Sequence, residues 1–139
     1  MPISKQDQLG SYSKTSLDRR TYLERQCDSM FSKIVLTMHP KCLFTGNTAT
    51  TCFHFIPRGH RKFRWDLRNA TGSELRFHIM YEDSTEEQQQ DFIMNHCSEE
   101  TYEFYMDNRD VIGRRLTVQE LEELAEEMKD KIKLMDKCR

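Results

Sequence analysis

The sequence predicts a mostly helical α+β domain built around a small strand-containing core. Apolar residues recur at three- and four-residue steps over residues 17–38, which is the period of a helix with one buried face. A second stripe with the same period runs over residues 121–135. Between them, residues 52–56 form a short apolar run that Pro57 and Gly59 end, which is typical of a strand leading into a loop.

The length and composition predict one domain preceded by an arm. The 139 residues, of which 37% are hydrophobic, are enough for a modest core. Residues 1–16 are polar and unpatterned, so we expect them to be disordered. Pro40 ends the first helix because proline cannot continue the hydrogen-bond ladder. The expected parts of the single domain, residues 17–139, are a helix over 17–39, a β-rich core over 42–80 and further helices over 84–139.

Cap residues predict three helices in the last third of the chain. Ser84 or Thr85 precedes a stretch with acidic residues in its first turn, where they suit the helix dipole. Ser98 precedes a second such stretch. Thr117, with Glu120 three residues later, forms the capping-box pattern and opens the final helix.

The spacing of the cysteines and the hydropathy of the sequence indicate the cellular compartment in which the protein functions. Five cysteines form no even or closely spaced set, so we expect reduced thiols. No apolar run is long enough to span a bilayer, and no secretory leader is recognised. We therefore expect a cytoplasmic location and no membrane partner.

The formal net charge of −2 conceals a division between the two parts of the chain. Residues 1–80 carry thirteen Lys/Arg against six Asp/Glu, whereas residues 81–139 carry eight against seventeen. A basic loop in the first part suits contacts to phosphates of a nucleic acid. Trp65 could stack on an unpaired base, although packing into the core is its more ordinary role. The candidate nucleic-acid-binding residues are Arg58, His60, Arg61, Lys62, Arg64 and Arg68.

Three residues around this loop have the chemistry of a one-metal nuclease site. Phosphodiester hydrolysis needs a base that takes a proton from water and a cation that stabilises charge on the phosphate. His54 suits the base and His78 a metal ligand, since neutral imidazole serves both tasks. Asn69 cannot ionise, so we expect it to hold the ring of the base or the loop. The ordinary alternative for His54, in an apolar strand, is a core residue.

The expected local structure brings these residues together. After Asn69 we expect a short helix from about residue 71 to residue 80. Thr71 would cap its first turn and Glu74 would complete the capping box. This helix would return His78 to the side of His54.

The motifs HFIPRG at residues 54–59 and RWDLRN at 64–69, followed by nine residues to His78, resemble the HNH nucleases of the ββα-metal type. More narrowly, the chain resembles the phage lambda NinG (Rap) family of recombination endonucleases. Flanking segments FSKIVL at 31–36 and LTVQELEELAEEMKDKIK at 116–133 are similar to the helices on either side of that family's core. The resemblance implies a ββα core over 42–80. It also implies cleavage of branched recombination intermediates, such as Holliday junctions or D-loops, in a phage-infected cell.

The chain departs from the family at its two zinc-binding Cys-x-x-Cys pairs. The first pair is Cys42-Leu-Phe-Thr45 here, and the second is Glu74-Leu-Arg-Phe77. One thiolate of four remains, whereas a structural zinc site requires four N or S ligands. We therefore expect no structural zinc and instead expect packing by Phe44, Leu75 and Phe77.

A second departure leaves alternatives open. Phe53 stands before the base, where many HNH nucleases carry an acidic or histidine metal ligand. A lone imidazole ligand, completed by water and phosphate oxygens, suits Mg²⁺ or Mn²⁺. The first alternative is a catalytically degenerate HNH-fold DNA-binding module, and the second is a phage protein-interaction factor whose acidic half binds a protein. By analogy with the family, a homodimer would suit symmetric cutting of a junction.

Overall fold

The computed structural model describes residues 16–138 and confirms the mostly helical α+β class. Within this range the chain forms five α-helices and one two-stranded sheet. Ser16 begins the first helix, and the rest of the predicted arm, residues 1–15, lies outside the described residues. The elements are α1 Ser16–Met38, β1 Thr51–His54, β2 Ala70–Ser73, α2 Leu75–Glu82, α3 Glu86–His96, α4 Glu99–Asn108 and α5 Val118–Lys137.

The chain divides into two compact units. One comprises residues 32–114, with both strands and α2, α3 and α4. The other joins the first part of α1 to α5. In this second unit the Cys27 thiol lies 3.8 Å from the carbonyl oxygen of Leu121, and an Arg115–Glu24 ion pair of 2.7 Å ties residue 115 to α1. Both predicted helical stripes therefore have buried residues, namely Leu23, Cys27 and Phe31 in α1 and Leu121, Ala125 and Met128 in α5.

The sheet of the first unit is an antiparallel hairpin. Thr51 pairs with Ser73 and His54 with Ala70, which leaves a fifteen-residue connection between the strands. Gly72 lies in β2, where it pairs with Cys52. A Cβ atom there would collide with the carbonyl oxygen of His39 and with the Ala49 side chain, so only glycine fits.

The predicted boundaries around this hairpin need correction. The first strand covers Thr51–His54 rather than 52–56. Thr71 lies within β2 and does not cap a helix, because its neighbours pair with β1. The following helix is Leu75–Glu82, with Glu74 at its N-cap position but without a side-chain capping bond. The predicted Thr71–Glu74 capping box is therefore wrong, since non-local strand pairing overrides the local capping signal.

An aromatic core supports the hairpin. The rings of Phe53 and Tyr81 meet edge to face with centroids 4.7 Å apart, and such pairs add to the free energy of burial. The Tyr81 hydroxyl donates a 2.6 Å hydrogen bond to the carbonyl oxygen of Phe55. Burial strongly raises the pKa of Tyr81, so its hydroxyl stays protonated as a donor. The buried members of the core are Phe53, Phe55, Ile56, Phe63, Tyr81, Ile93 and Tyr105.

The predicted caps of the later helices are confirmed. Thr85 and Thr117 each form a complete capping box, with Gln88 and Glu120 respectively. The hydroxyl of Ser98 accepts a hydrogen bond from the backbone N–H of Thr101. These caps satisfy amide groups that the first helical turn leaves without an internal partner.

Candidate functional site

His54 is the last residue of β1, and a backbone carbonyl fixes its ring. Its Nε2 atom lies 2.9 Å from the carbonyl oxygen of Arg64. A carbonyl oxygen can only accept, so Nε2 must carry the proton. In the neutral ring Nδ1 then holds the lone pair. In this half-buried side chain the contact therefore identifies Nδ1 as the nitrogen that can accept a proton.

Asn69 is completely buried and holds the loop, which is one of the two tasks predicted for it. Its Oδ1 accepts from the backbone N–H of Ile56 at 2.8 Å. Its Nδ2 donates to the carbonyl oxygens of Ile56 at 2.9 Å and Phe63 at 3.2 Å. One side chain therefore ties the return of the loop to its start and to its middle.

The hydrogen bonds of Asn69 and the contact of His54 with Arg64 are connected through the backbone of the loop. Asn69 holds the carbonyl of Phe63, and the next residue, Arg64, supplies the carbonyl that fixes His54. Asn69 therefore positions the candidate base through the loop and not by direct contact with its ring. The sequence gives no signal for Arg64 in this role, because any residue would offer the same carbonyl.

His78 lies on α2 and contacts the other part of β1. Its Nδ1 is 3.2 Å from the Thr51 hydroxyl, and its ring centroid is 5.8 Å from that of Phe53. Neighbouring side chains on a strand point to opposite faces, so His54 and Phe53 diverge. His78 therefore contacts the face of β1 that carries Thr51 and Phe53, whereas His54 points to the opposite face and contacts the Arg64 carbonyl. The return of His78 to the side of His54 stays a prediction.

A carboxylate that was not among the predicted site residues accompanies His78. Glu82 is one helical turn further on, and its Oε1 lies 3.1 Å from His78 Nε2. The i,i+4 spacing of the two residues is the signal that could have identified it. The Glu82 side chain is 67% exposed, which leaves it able to turn towards a ligand.

This pair bears on whether a metal ion fits. Within residues 16–138 no group of three or more His, Cys, Asp or Glu side chains is placed to hold one. Phe53 is buried in the aromatic core, so residue 53 supplies no ligand. Mg²⁺ usually keeps several waters and takes one or two carboxylates together with phosphate oxygens. An imidazole and a carboxylate on one helix face are compatible with that mode of binding.

Residues 42–45 and residues 74–77, which correspond in the HNH resemblance to the two zinc-binding pairs, lie in contact, and Cys42 supplies their one thiol. The Thr45 hydroxyl donates a 2.8 Å bond to Glu74, and the rings of Phe44 and Phe77 stack at 5.1 Å, as their predicted packing role requires. Burial by itself would raise the pKa of the Cys42 thiol, but hydrogen bonds from the Thr45 side chain and from the backbone of residues 74, 44 and 45 lower it overall. The packing role predicted for Leu75 is wrong, because that side chain is 55% exposed.

The basic residues of the loop differ in their contacts and in their exposure to solvent. Arg68 donates to Asp66 from both Nε and Nη2, at 3.1 and 2.7 Å, and lies 4.8 Å from the Phe104 ring. The guanidinium of Arg64 lies 4.7 Å from the ring of the half-buried Trp65. The ring of His60 is half-buried. The exposed basic side chains of the loop are Arg58, Arg61, Lys62 and Arg68.

Asp66→Asn is expected to lower Tm by roughly 1–3 °C at neutral pH, because the exposed pair with Arg68 is largely screened by solvent. Hydrogen bonding from Arg68 lowers the pKa of Asp66 below its ordinary value of 3.8. The pair therefore stabilises fully above that value, and its contribution disappears as the pH falls through the lowered pKa. Thermal melts of both proteins between pH 7 and pH 2 would measure this, and a Tm difference that persists at the acid end would contradict it.

Comparison with known proteins identifies no family for this chain. No protein-family model matches it, and neither a curated protein nor a solved structure does so. Function is therefore inferred from the contacts around His54, Asn69 and His78 and from the motifs that contain them.

Proposed function

We propose that this protein is a metal-dependent DNA endonuclease of the HNH type. The observation that carries the proposal is the 2.9 Å contact between His54 Nε2 and the carbonyl oxygen of Arg64. It leaves Nδ1 as the proton acceptor on a residue that adjoins a basic loop. The order strand, loop, strand and helix, with Asn69 clamping the loop, agrees with the HNH resemblance of the motifs.

His54 would act as the general base. Its Nδ1 takes a proton from water as the water oxygen attacks phosphorus, and the P–O bond to the leaving oxygen breaks. The resulting imidazolium keeps its Nε2–H bonded to the Arg64 carbonyl, which stabilises the positive charge. Asn69 keeps that carbonyl in place through Phe63.

His78 and Glu82 would hold Mg²⁺ or Mn²⁺. When bound, such an ion stabilises negative charge on the phosphate oxygens and the leaving oxygen. Thr51 fixes the ring of His78 from its Nδ1 side, so Nε2 is the nitrogen that faces Glu82. Second partners of this kind orient the rings of metal-binding histidines in proteins.

DNA is the proposed substrate because of the charge around the base. Between residues 58 and 68 the chain has five Lys/Arg and one acidic residue, Asp66, which pairs with Arg68. Arg61 and Lys62 are exposed and suited to phosphate contacts. The preference for branched recombination intermediates in phage recombination comes from the NinG resemblance, and a homodimer would allow paired cuts. No helix within residues 16–138 is long and apolar enough to cross a membrane.

A second candidate is a DNA-binding module of the same fold without catalysis. The burial of Phe53 favours it, because this residue occupies the position of a common metal ligand. Replacement of three of the four zinc thiolates points the same way. This module would use the basic loop alone. A protein-interaction factor would instead bind a protein through the acidic helical half of the chain, and its basic loop would contact DNA only secondarily.

Cleavage of a labelled four-way junction tests the proposal directly. We expect cutting with Mg²⁺ or Mn²⁺, no cutting with EDTA, and slower cutting of a linear duplex with the same arm sequences. Metal-independent cleavage of both DNAs would contradict the proposed chemistry. Binding of the junction without cleavage in either metal would instead support the DNA-binding module.

A further inference from the structure

Ile112 is the most exposed large apolar side chain in residues 18–138, at 71%. It lies in the connection between α4 and α5. Its neighbour Val111 packs against the aromatic core, so this part of the connection is anchored. A single exposed apolar side chain is ordinary on a protein surface, so the significant feature of Ile112 is the position in which the anchored segment holds it.

Gly113 fixes this segment against the basic loop. Its N–H donates a 2.7 Å hydrogen bond to the carbonyl oxygen of His60. A Cβ atom on Gly113 would lie 2.7–2.8 Å from the Cβ, Cα and N atoms of Lys62. Only glycine allows so close an approach of the two backbones, and it carries Ile112 beside the loop.

The same carbonyl holds a strained turn. His60 O also accepts from the N–H of Lys62 at 2.8 Å, around Arg61 with φ 68° and ψ −47°. This is a γ-turn with positive φ, which is rare and unfavourable for a residue with a side chain. This γ-turn fixes the backbone from which the side chains of Arg61 and Lys62 project, and that backbone lies next to the segment that carries Ile112.

We propose that Ile112 is an apolar wedge that enters an unstacked base step of branched DNA, while Arg61 and Lys62 hold the adjacent phosphates. An aliphatic side chain on a segment that approaches Lys62 and continues into the exposed Arg114 complements a polyanion whose bases are apolar on their faces. Wedges of this kind separate stacked bases, and the separation is easiest where bases are already unpaired. This inference rests on the DNA binding in the proposed function and adds a source for the preference for branched substrates.

The test compares Ile112→Ala with Met94→Ala, which removes another exposed apolar side chain (52%) on α3. Affinities for a four-way junction and for a linear duplex are measured in EDTA, so that cleavage plays no part. Ile112→Ala should weaken junction binding by roughly ten-fold and duplex binding by less than about two-fold. Ile112→Leu should restore the preference, and Met94→Ala should leave both affinities unchanged. 2-Aminopurine at the junction centre should brighten with wild type and not with Ile112→Ala.

Equal losses on both DNAs, or no loss, would overturn the wedge. So would a fall in oligomer size for Ile112→Ala in sedimentation, which would assign Ile112 to an interface between copies. If the wild type cuts DNA but Ile112→Ala keeps the preference for the junction, the proposed role of Ile112 is rejected and the proposed nuclease function is retained. If the wild type binds neither the junction nor the duplex, both the proposed role of Ile112 and the proposed function are rejected.

Discussion

His54→Ala is expected to slow junction cleavage by about 10²- to 10⁴-fold, the usual contribution of a general base. The variant removes Nδ1 and leaves the Arg64 carbonyl without its partner at the edge of the loop. The exposed basic side chains that are proposed to bind phosphates are unaffected, so the Kd for the junction should change by less than about three-fold. Single-turnover cleavage in Mg²⁺ and fluorescence anisotropy in EDTA measure the two quantities.

His96→Ala is a matched control, because it removes an exposed imidazole from α3 within the same unit. It should leave the cleavage rate within about two-fold of wild type, since no proton transfer is assigned to it. Unchanged cleavage in His54→Ala would exclude His54 as the base. A parallel loss of rate and affinity would assign His54 to loop structure.

Asn69→Ala is expected to lower the free energy of unfolding by about 3 kcal/mol, which is large for one side chain. The change leaves the N–H of Ile56 and the carbonyls of Ile56 and Phe63 without their partner. Unpaired polar groups in the interior are costly because water no longer compensates them. Urea denaturation followed by the fluorescence of Trp65, the single tryptophan of the chain, would report on this loop directly.

Asn95→Ala, on the exposed surface of α3, is the control for Asn69→Ala. It should change stability by less than about 0.5 kcal/mol. Cleavage by Asn69→Ala should remain low even where the variant is folded, because the carbonyl that orients His54 is no longer held. A wild-type denaturation midpoint for Asn69→Ala would contradict the clamp.

The helices could be predicted because their signals are local. Thr85 and Thr117 each bond within three residues of themselves, so sequence spacing reveals the cap. Thr71 has the same pattern with Glu74, yet it forms β2, because its partner Phe53 is eighteen residues earlier. Glu74 in turn bonds to Thr45. Contacts between residues so far apart in the sequence cannot be predicted from a short stretch of it.

The residues of the candidate site could be predicted from the sequence, but the groups that hold their side chains in position could not. The spacing of His54, Asn69 and His78 selects them from the sequence. The partner of His54 is a main-chain carbonyl, which no side-chain pattern can identify. Arg68 was assigned to phosphate, whereas its guanidinium is engaged by Asp66, two residues away. Glu82 lies at a spacing that could have been considered.

Because Asn69 closes the loop, the loop can change during evolution separately from the strands that flank it. Residues 57–68 lie between a start and a return joined by one buried side chain. Their length and sequence can therefore change with little effect on the strand register, provided that a carbonyl still meets His54, since lengthening a closed loop costs little. If the proposed function holds, DNA preference could then evolve as a replaceable insert while the proposed base and metal ligands are inherited intact.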